Sequence, residues 1–227
     1  GYRGVVIRLG QGFEKIDVQG DRMTAGAGVL LGGAAKAALA AGLSGMEFAS
    51  GIPGTIGGAV RMNAGAYGGE MSRIVETVEV MGLDGEILTL DNETMEFAYR
   101  SSVIKNRPYV VLSVTLRLTP GNEEEIAGKM RELTRRRREK QPLEYPSAGS
   151  AFKRPEGYFA GKLIMDAGLQ GYSCGGAQIS EKHCGFIINR GNATAADVAQ
   201  LIRKTITTVQ DKFGVTLEPE VIFLGDF

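Results

Sequence analysis

Residues 44–69, SGMEFASGIPGTIGGAVRMNAGAYGG, are the stretch of this sequence best suited to binding a charged ligand. The stretch is rich in glycine, which lets a ligand approach the main chain closely. Successive backbone N–H groups in such turns form concave anion sites, and the hydroxyls of Ser50 and Thr55 add donors. These features favour a phosphorylated cofactor lying along the segment. The alternative interpretation is a set of tight turns packed against a sheet.

Three polar residues outside this stretch stand in small or apolar surroundings and are candidates for chemistry: Arg100, Ser150 and Glu220. Each also has an ordinary interpretation, as a surface cation, a turn hydroxyl and a strand-edge carboxylate respectively. The sequence contains no P-loop lysine, no G-x-S-x-G elbow and no histidine close to a candidate nucleophile. Taken singly, therefore, none of the three identifies a reaction.

The bulk properties of the chain limit its function classes. Its 227 residues suit one or two domains, and 26 basic residues balance 26 acidic ones. Nothing in this balance indicates a nucleic-acid or membrane partner, and no protein partner is implied. No apolar run approaches the ~20 residues of a membrane span, and no signal peptide is visible, so we expect a cytoplasmic protein. The chain opens at Gly1 in strand-like sequence, so an N-terminal portion is expected to be absent.

Cys174, Cys184 and His183 are the only cysteines and the only histidine. A C-x9-C pair is neither a zinc pattern nor a redox motif, which favours two reduced thiols. The adjacent His183 and Cys184 cannot easily both point inward from a strand. We therefore expect no metal site.

The pattern of apolar residues and breakers predicts an α+β fold, with a β-rich first half and a mixed second half divided near Pro120. The segment at residues 26–32 weakly resembles a dinucleotide-binding fingerprint with Glu47 beyond it, but one residue too many separates its last glycines. Small residues for close helix packing explain that segment better. The predicted strands are residues 5–9, 13–18, 22–25, 74–81, 87–90, 109–118, 186–189 and 217–224; the predicted helices are residues 28–41, 123–140, 158–167 and 194–213, the last with a Thr194/Asp197 capping box.

Six segments together resemble the UDP-N-acetylenolpyruvoylglucosamine reductase (MurB) family: SGIPGTIGGAVRMNAGAYG, FAYRSSVIK, PSAGSAFKRP, GKLIMDAGLQG, GGAQISEKHCGFIIN and LEPEVIFLG. They follow the family's order and cover residues 1–225. The spacing is similar to the shorter, type II form, because no tyrosine-bearing insertion separates Leu169 from Ile187. Two departures stand out. The family's N-terminal lobe with a further glycine-rich FAD loop is missing, and Arg154 replaces a frequent asparagine.

The resemblance implies the second lobe of a PCMH-type FAD-binding domain over residues 1–120. An α+β substrate-binding domain over residues 121–227 would follow, its last strand returning towards the active site. The implied cofactor is non-covalent FAD, held weakly here because a lobe is missing, with NADPH as co-substrate. The residues expected to line FAD are Ser50, Gly51, Ile52, Pro53, Gly54, Thr55, Ile56, Gly57, Gly58, Asn63, Ala64 and Gly65.

The implied reaction is reduction of the enolpyruvyl double bond of a UDP-sugar, which yields UDP-N-acetylmuramate for peptidoglycan. By resemblance, Ser150 would protonate the substrate carbon, while Arg100 and Glu220 stabilise the enol-like intermediate. Lys140, Lys162 and Lys182 adjoin family motifs and are expected to meet phosphates of the UDP-sugar or NADPH. Two alternatives stay open: a cofactor-poor fragment that only binds a UDP-sugar, and another PCMH-type FAD oxidase.

Overall fold

A computed structural model describes residues 2–225, which form two compact units: residues 7–136, and residues 137–225 together with the first residues of the chain. The two units divide between residues 136 and 137, inside the helix at Glu123–Lys140. The functional domain boundary predicted between residues 120 and 121 stays a prediction. In chain order, the elements that begin in the first unit are β1 (Ile16–Gln19), β2 (Arg22–Gly26), α1 (Leu31–Ala40), β3 (Leu43–Ser44), α2 (Ile56–Arg61), β4 (Gly65–Ala66), β5 (Gly69–Glu70), β6 (Val75–Met81), β7 (Ile87–Asp91), α3 (Val103–Asn106), β8 (Val110–Arg117), β9 (Thr119–Pro120) and α4 (Glu123–Lys140).

The first unit is built on a five-stranded antiparallel sheet in the order β1-β2-β8-β6-β7. Burial alternates along the central strands, so that Met23 and Ala25 lie opposite Leu116 and Val114 on one buried face. The apolar sides of α1 and α2 belong to the same core. On the other face, Arg22 pairs with the Glu76 carboxylate and remains partly exposed. This one-sided burial is what an antiparallel sheet with a period of two dictates.

The second unit contains β10 (Ser147–Ser150), α5 (Ala160–Asp166), β11 (Ser173–Cys174), β12 (Ala177–Ile179), β13 (Phe186–Asn189) and α6 (Ala195–Phe213). Its sheet has the order β10-β13-β12-β11, and α6 packs on β11 and β12. The core under α6 includes Ile179, Leu201, Ile202 and Val209. The mixture of helices and antiparallel strands in both units confirms the predicted α+β class.

The capping box predicted for the last helix is confirmed. Thr194 Oγ1 accepts a hydrogen bond from Asp197 N at 3.1 Å, and the Asp197 carboxylate accepts one from Thr194 N at 2.9 Å. At the other end, Gly214 ends the helix with a φ of +69°, a left-handed conformation that glycine adopts without strain. Local signals therefore determine both ends of α6.

Two predicted strands are wrong. Residues 5–9 form no strand within the described part of the chain, and the side chains of Val5 and Val6 are exposed. Residues 217–224, predicted as the strand returning to the active site, form only an isolated bridge between Phe152 and Pro219. Proline has no N–H to donate to a ladder, and residues 222–224 are exposed. An apolar, β-branched string becomes a strand only where a partner accepts its backbone hydrogen bonds.

Candidate active site

The glycine-rich segment starts with a 3₁₀ turn at Glu47–Ala49 and continues through an open loop into α2. Backbone hydrogen bonds fix it to residues that follow β2 and begin α1: Leu31 N donates to Gly54 O at 3.0 Å and Gly57 N to Ala27 O at 2.9 Å. A Cβ on Gly57 would lie 2.9 Å from the Ala27 Cβ, so only glycine fits there. Both proposed uses of these glycines, close packing and an open loop, are therefore present.

The loop has the features needed to hold a phosphate group of FAD. Gly54 has a φ of +130°, is exposed, and leaves open space where a Cβ would be. The N–H groups of Gly54 and Thr55 have no acceptor among the described residues, whereas Thr55 Oγ1 accepts a weak hydrogen bond from Gly58 N at 3.4 Å. These two N–H donors lie on an exposed, uncrowded main chain, where an anionic group could accept hydrogen bonds from them. The residues present fit the cofactor.

The residues predicted to line FAD divide by their burial. Ile56 is completely buried and Asn63 is 3 % exposed, so these two residues are withdrawn from the surface. The Ser50 hydroxyl donates to the main-chain oxygen of Glu47 at 2.9 Å, which directs its proton into the protein. The exposed members of the set are Pro53, Gly54 and Gly58. Contact of these residues with FAD stays a prediction.

Arg100 lies in the same unit as the glycine-rich segment. Ala98 and Ser101 exchange two backbone hydrogen bonds of 3.1 Å and leave Tyr99 and Arg100 at the tip of a tight turn. Arg100 has a φ of +55°, which is unusual for a residue with a long side chain. Its Nη2 lies 3.5 Å from Gly65 O, at the long limit of a hydrogen bond. The structure thus brings Arg100 to the C-terminal end of the predicted FAD loop.

Ser150 and Glu220 lie in the second unit, on adjacent stretches of main chain. Ser150 is exposed at the end of β10, directly after Gly149, whose φ is +84°. Glu220 N donates to Ala151 O at 2.9 Å, and Lys153 N donates to the main chain two residues before Glu220 at the same distance. The half-buried Glu220 is therefore held one residue away from Ser150 along the pairing.

The three predicted phosphate-binding lysines differ in their surroundings. Lys162 Nζ lies 2.9 Å from the Asp166 carboxylate one helical turn away, an exposed pair of small energetic value. Lys182 Nζ donates to Arg138 O at 2.7 Å and therefore lies at the C-terminal end of α4. Lys140 is exposed at that same end. The structure brings Lys140 and Lys182 to one region, and Lys162 is paired with Asp166 on its own helix.

His183 is engaged within the protein. Its Nδ1 accepts a hydrogen bond from Gly185 N at 3.1 Å, and its ring packs edge-on against Phe186 with centroids 5.0 Å apart. Burial lowers the pKa of His183 below its ordinary value, so the ring is neutral at pH 7.

Among residues 2–225, no group of three or more His, Cys, Asp or Glu side chains is placed to bind a metal. Nor does any helix in this range combine the length and apolar character that crossing a membrane requires.

Two buried polar residues near the loop are not among the residues predicted for the site. Glu47, which enters the sequence analysis only as the acidic residue beyond a weak fingerprint, is 4 % exposed and bonded to Ser44 and Gly45. Ser102 is 2 % exposed, and its hydroxyl donates to Arg61 O at 2.9 Å. The sequence signal that points to Glu47 and Ser102 is that each is a polar residue among small or apolar neighbours, in or next to a family motif.

The chain matches two family models. One is described as the UDP-N-acetylenolpyruvoylglucosamine reductase, C-terminal domain, and matches residues 141–224. The other, described as FAD binding domain, matches residues 1–91. The first match contains Ser150 and Glu220, and the second contains every residue predicted to line FAD.

Whole proteins also match. A UDP-N-acetylenolpyruvoylglucosamine reductase from Agathobacter rectalis is 54 % identical over 239 residues, covering 100 % of this chain and 76 % of the relative. One from Caldanaerobacter subterraneus is 55 % identical over 226 residues, covering 100 % and 74 %. The crystal structure of UDP-N-acetylenolpyruvylglucosamine reductase (MurB) from Thermus caldophilus superimposes with a TM-score of 0.85 at 41 % identity, covering 96 % of this chain and 77 % of that one.

Proposed function

This chain belongs to the UDP-N-acetylenolpyruvoylglucosamine reductase (MurB) family, and on that premise we propose which of its residues carry out the reduction. Its reaction is the NADPH-driven, FAD-dependent reduction of UDP-N-acetylglucosamine enolpyruvate in peptidoglycan precursor synthesis. FAD, when bound, supplies the hydride chemistry. The protein must bind and orient the substrate, stabilise developing charge and deliver a proton.

Ser150 is the proposed proton donor. Hydride addition at the terminal carbon of the enolpyruvyl group puts negative charge on the neighbouring carbon and into its carboxylate. A serine is a very weak acid, so it protonates only a strongly basic partner, and a carbanion-like carbon is such a partner. The exposure of Ser150 at the end of β10 supports this role, because the hydroxyl is accessible to a substrate.

Arg100 and Glu220 are the proposed stabilisers of the charge. The planar donor fork of arginine suits a carboxylate that becomes an enediolate. A glutamate next to such an oxyanion helps only if it holds or shares a proton. We assign Glu220 that proton-sharing role.

One observation carries the assignment for the second unit: the backbone bond from Glu220 N to Ala151 O, which holds Glu220 beside the strand that ends in Ser150. An acid and a charge-stabilising group must act on the same few substrate atoms, and residues on paired segments meet that requirement. Ser150 and Glu220 are 70 positions apart in the sequence, and this bond is the observation that brings their segments together.

The finer assignments are also proposals. Lys140 and Lys182 at the end of α4 would bind phosphates of the UDP-sugar or NADPH, and Lys162 would do so only after leaving Asp166. Residues 1–120 would be the FAD-binding part and residues 121–227 the substrate-binding part. We further propose a cytoplasmic protein that works on UDP-sugar and NADPH, which are small molecules, without a nucleic-acid, membrane or protein partner.

The Ser150→Ala variant tests the proposal in the FAD-loaded enzyme. Stopped-flow absorbance separates flavin reduction by NADPH from flavin reoxidation by the enolpyruvyl substrate. We expect reduction to stay near the wild-type rate and reoxidation to fall by about 10²–10⁴-fold, the usual contribution of a general acid.

Ser147→Ala is the matched control, because Ser147 is also an exposed serine on β10. It should leave both half-reactions near the wild-type rates. If Ser150→Ala slows the two half-reactions equally, Ser150 is a structural turn residue and the assignment is wrong.

A further inference from the structure

Two buried polar side chains connect the glycine-rich segment to the turn that carries Arg100. Asn63 is 3 % exposed; its Oδ1 accepts a hydrogen bond from Ser72 N at 2.9 Å and its Nδ2 donates to Ala98 O at 3.1 Å. Ser102 is 2 % exposed and donates from Oγ to Arg61 O at 2.9 Å. Ala98 and Ser102 flank the turn on either side, so the turn is attached to residues 61–63 at both ends.

Both residues depart from common local geometry at this connection: Ser102 lacks a usual side-chain bond, and Asn63 has an unusual backbone conformation. Ser102 occupies the N-cap position of α3, where a serine commonly accepts a hydrogen bond from the helix, yet its hydroxyl makes no such bond and donates to Arg61 O. Asn63 has a φ of +42°, a left-handed conformation that asparagine tolerates better than most residues. These choices indicate that the connection itself matters.

We propose that Asn63 and Ser102 are positioning residues that together form a clamp, here called the arginine clamp, which holds Arg100 in place for the reaction. The inference rests on the role proposed above for Arg100. The φ of +55° at Arg100 is a conformation that persists only where its surroundings hold it. The clamp supplies those surroundings, because hydrogen bonds at Ala98 and Ser102 leave the turn little freedom on either side.

The clamp matters for catalysis because an arginine fork works only at a fixed distance and orientation. A displacement of about 1 Å can cost ~10²-fold in rate. Asn63 also lies in the segment predicted to line FAD, and its side chain is turned away from solvent. We therefore place its effect on the reaction in the position of Arg100.

Trypsin provides a test that requires neither FAD nor substrate, because it cleaves after arginine and the bond between Arg100 and Ser101 lies in the clamped turn. In Asn63→Asp the acceptor for Ser72 N is kept, but a carboxylate oxygen replaces the donor to Ala98 O. We expect cleavage after Arg100, measured by mass spectrometry, to become at least about 5-fold faster relative to other tryptic sites.

Asn92→Asp is the matched control for this experiment. The Asn92 amide donates to Ser72 O at 2.8 Å and to Val75 O at 2.7 Å in the same unit, but it does not contact the arginine turn. It should leave the cleavage ratio at the wild-type value. Equal acceleration in Asn63→Asp and Asn92→Asp, or none in Asn63→Asp, would refute the clamp.

A double-mutant cycle in the FAD-loaded enzyme tests the consequence for the reaction. Per bound flavin, Asn63→Asp and Ser102→Ala should each slow reoxidation by the substrate about tenfold or more. Ser102→Thr keeps the hydroxyl and should reoxidise near the wild-type rate. In an Arg100→Ala background the Asn63→Asp change should have no further effect.

If Arg100→Ala is slow and Asn63→Asp slows it again by its full factor, the clamp is refuted. If Arg100→Ala does not slow reoxidation at all, the proposed role of Arg100 is wrong, and the cleavage ratio alone decides on the clamp.

Discussion

Replacing Glu47 by glutamine should destabilise the first unit at the point where the FAD loop begins. The Glu47 side chain is 4 % exposed, with Oε1 accepting a hydrogen bond from Ser44 Oγ at 2.7 Å and Oε2 accepting one from Gly45 N at 2.9 Å. Its main-chain oxygen accepts the Ser50 hydroxyl at 2.9 Å. Glutamine has the same shape but only one acceptor oxygen. If that oxygen keeps the hydrogen bond from Gly45 N, the NH₂ group faces Ser44 Oγ, which must then accept a hydrogen bond instead of donating one.

The cost follows from these contacts. A hydrogen bond to a charged group contributes about 1.5–3 kcal/mol, whereas one between neutral groups contributes about 0.5–1.5 kcal/mol. Because Glu47→Gln replaces two hydrogen bonds to a carboxylate by two neutral ones, we expect it to lower the free energy of unfolding by about 1–3 kcal/mol. That is a large share of the roughly 5–15 kcal/mol that stabilises a typical domain.

The pH dependence gives an independent check. Burial acts to raise the pKa of Glu47, but the hydrogen bonds from Ser44 and Gly45 and the charge of Lys129 outweigh it and leave the pKa below its ordinary value. A carboxylate with a lowered folded-state pKa contributes stability that is complete above the unfolded-state pKa, roughly 4.3, and is lost as the pH falls through the folded-state value. The difference between wild type and Glu47→Gln should therefore be constant near neutral pH and shrink in acid.

Urea unfolding followed by far-UV circular dichroism, at pH 7 and at several acidic pH values, measures this difference. Glu79→Gln is the matched control, because Glu79 is a half-buried carboxylate of the same unit with no hydrogen bond or ion pair among residues 2–225; it should change stability by no more than about 0.5 kcal/mol. A Glu47→Gln variant as stable as wild type at pH 7, or a difference that grows in acid, would refute the reasoning.

Two further predictions concern the second unit. Glu220→Gln, which keeps a donor and a similar shape, should retain part of the rate of flavin reoxidation by substrate, whereas Glu220→Asp retracts the group by one methylene and should lose up to about 10²-fold; an aspartate variant faster than the glutamine one would show that Glu220 works as an anion. Thr194→Ala removes the capping box of α6 and should lower the free energy of unfolding by about 1 kcal/mol in urea, while Thr194→Ser should stay near wild type; equal stability of all three proteins would contradict the role of the cap.

The elements that could be predicted from the sequence are those whose signals are local. Helix α4 (Glu123–Lys140) and strand β13 (Phe186–Asn189) have the predicted bounds, and α6 has the predicted cap. Helix α4 has acidic residues in its first turn and basic ones in its last, which interact favourably with the helix dipole, so its bounds can be predicted from local sequence. The strand predicted at residues 217–224 is wrong because strand formation depends on a neighbouring segment that pairs with it. Local sequence does not show whether such a segment is present, and Pro219 has no N–H to donate to it.

The site was predicted at the level of segments and missed at the level of atoms. The resemblance named Asn63 among residues lining FAD, but the structure directs its amide to Ser72 and Ala98. The sequence assigned Glu47 no role, because it does not reveal whether a carboxylate faces a ligand or its own backbone. Which atom of a glycine-rich string is exposed is decided by packing, which is not local.

These buried polar groups explain how a segment so rich in glycine can hold a defined shape. Glycine loses more conformational freedom on ordering than any other residue, so an open glycine loop needs attachments that its own side chains cannot provide. Glu47 fixes the start of the segment, and Asn63 fixes its far end. Between them, the N–H groups of Gly54 and Thr55 are left for a ligand. A main chain that is already held in place loses little entropy when an anion binds, and that pre-organisation is what the buried groups would contribute if FAD binds here as proposed.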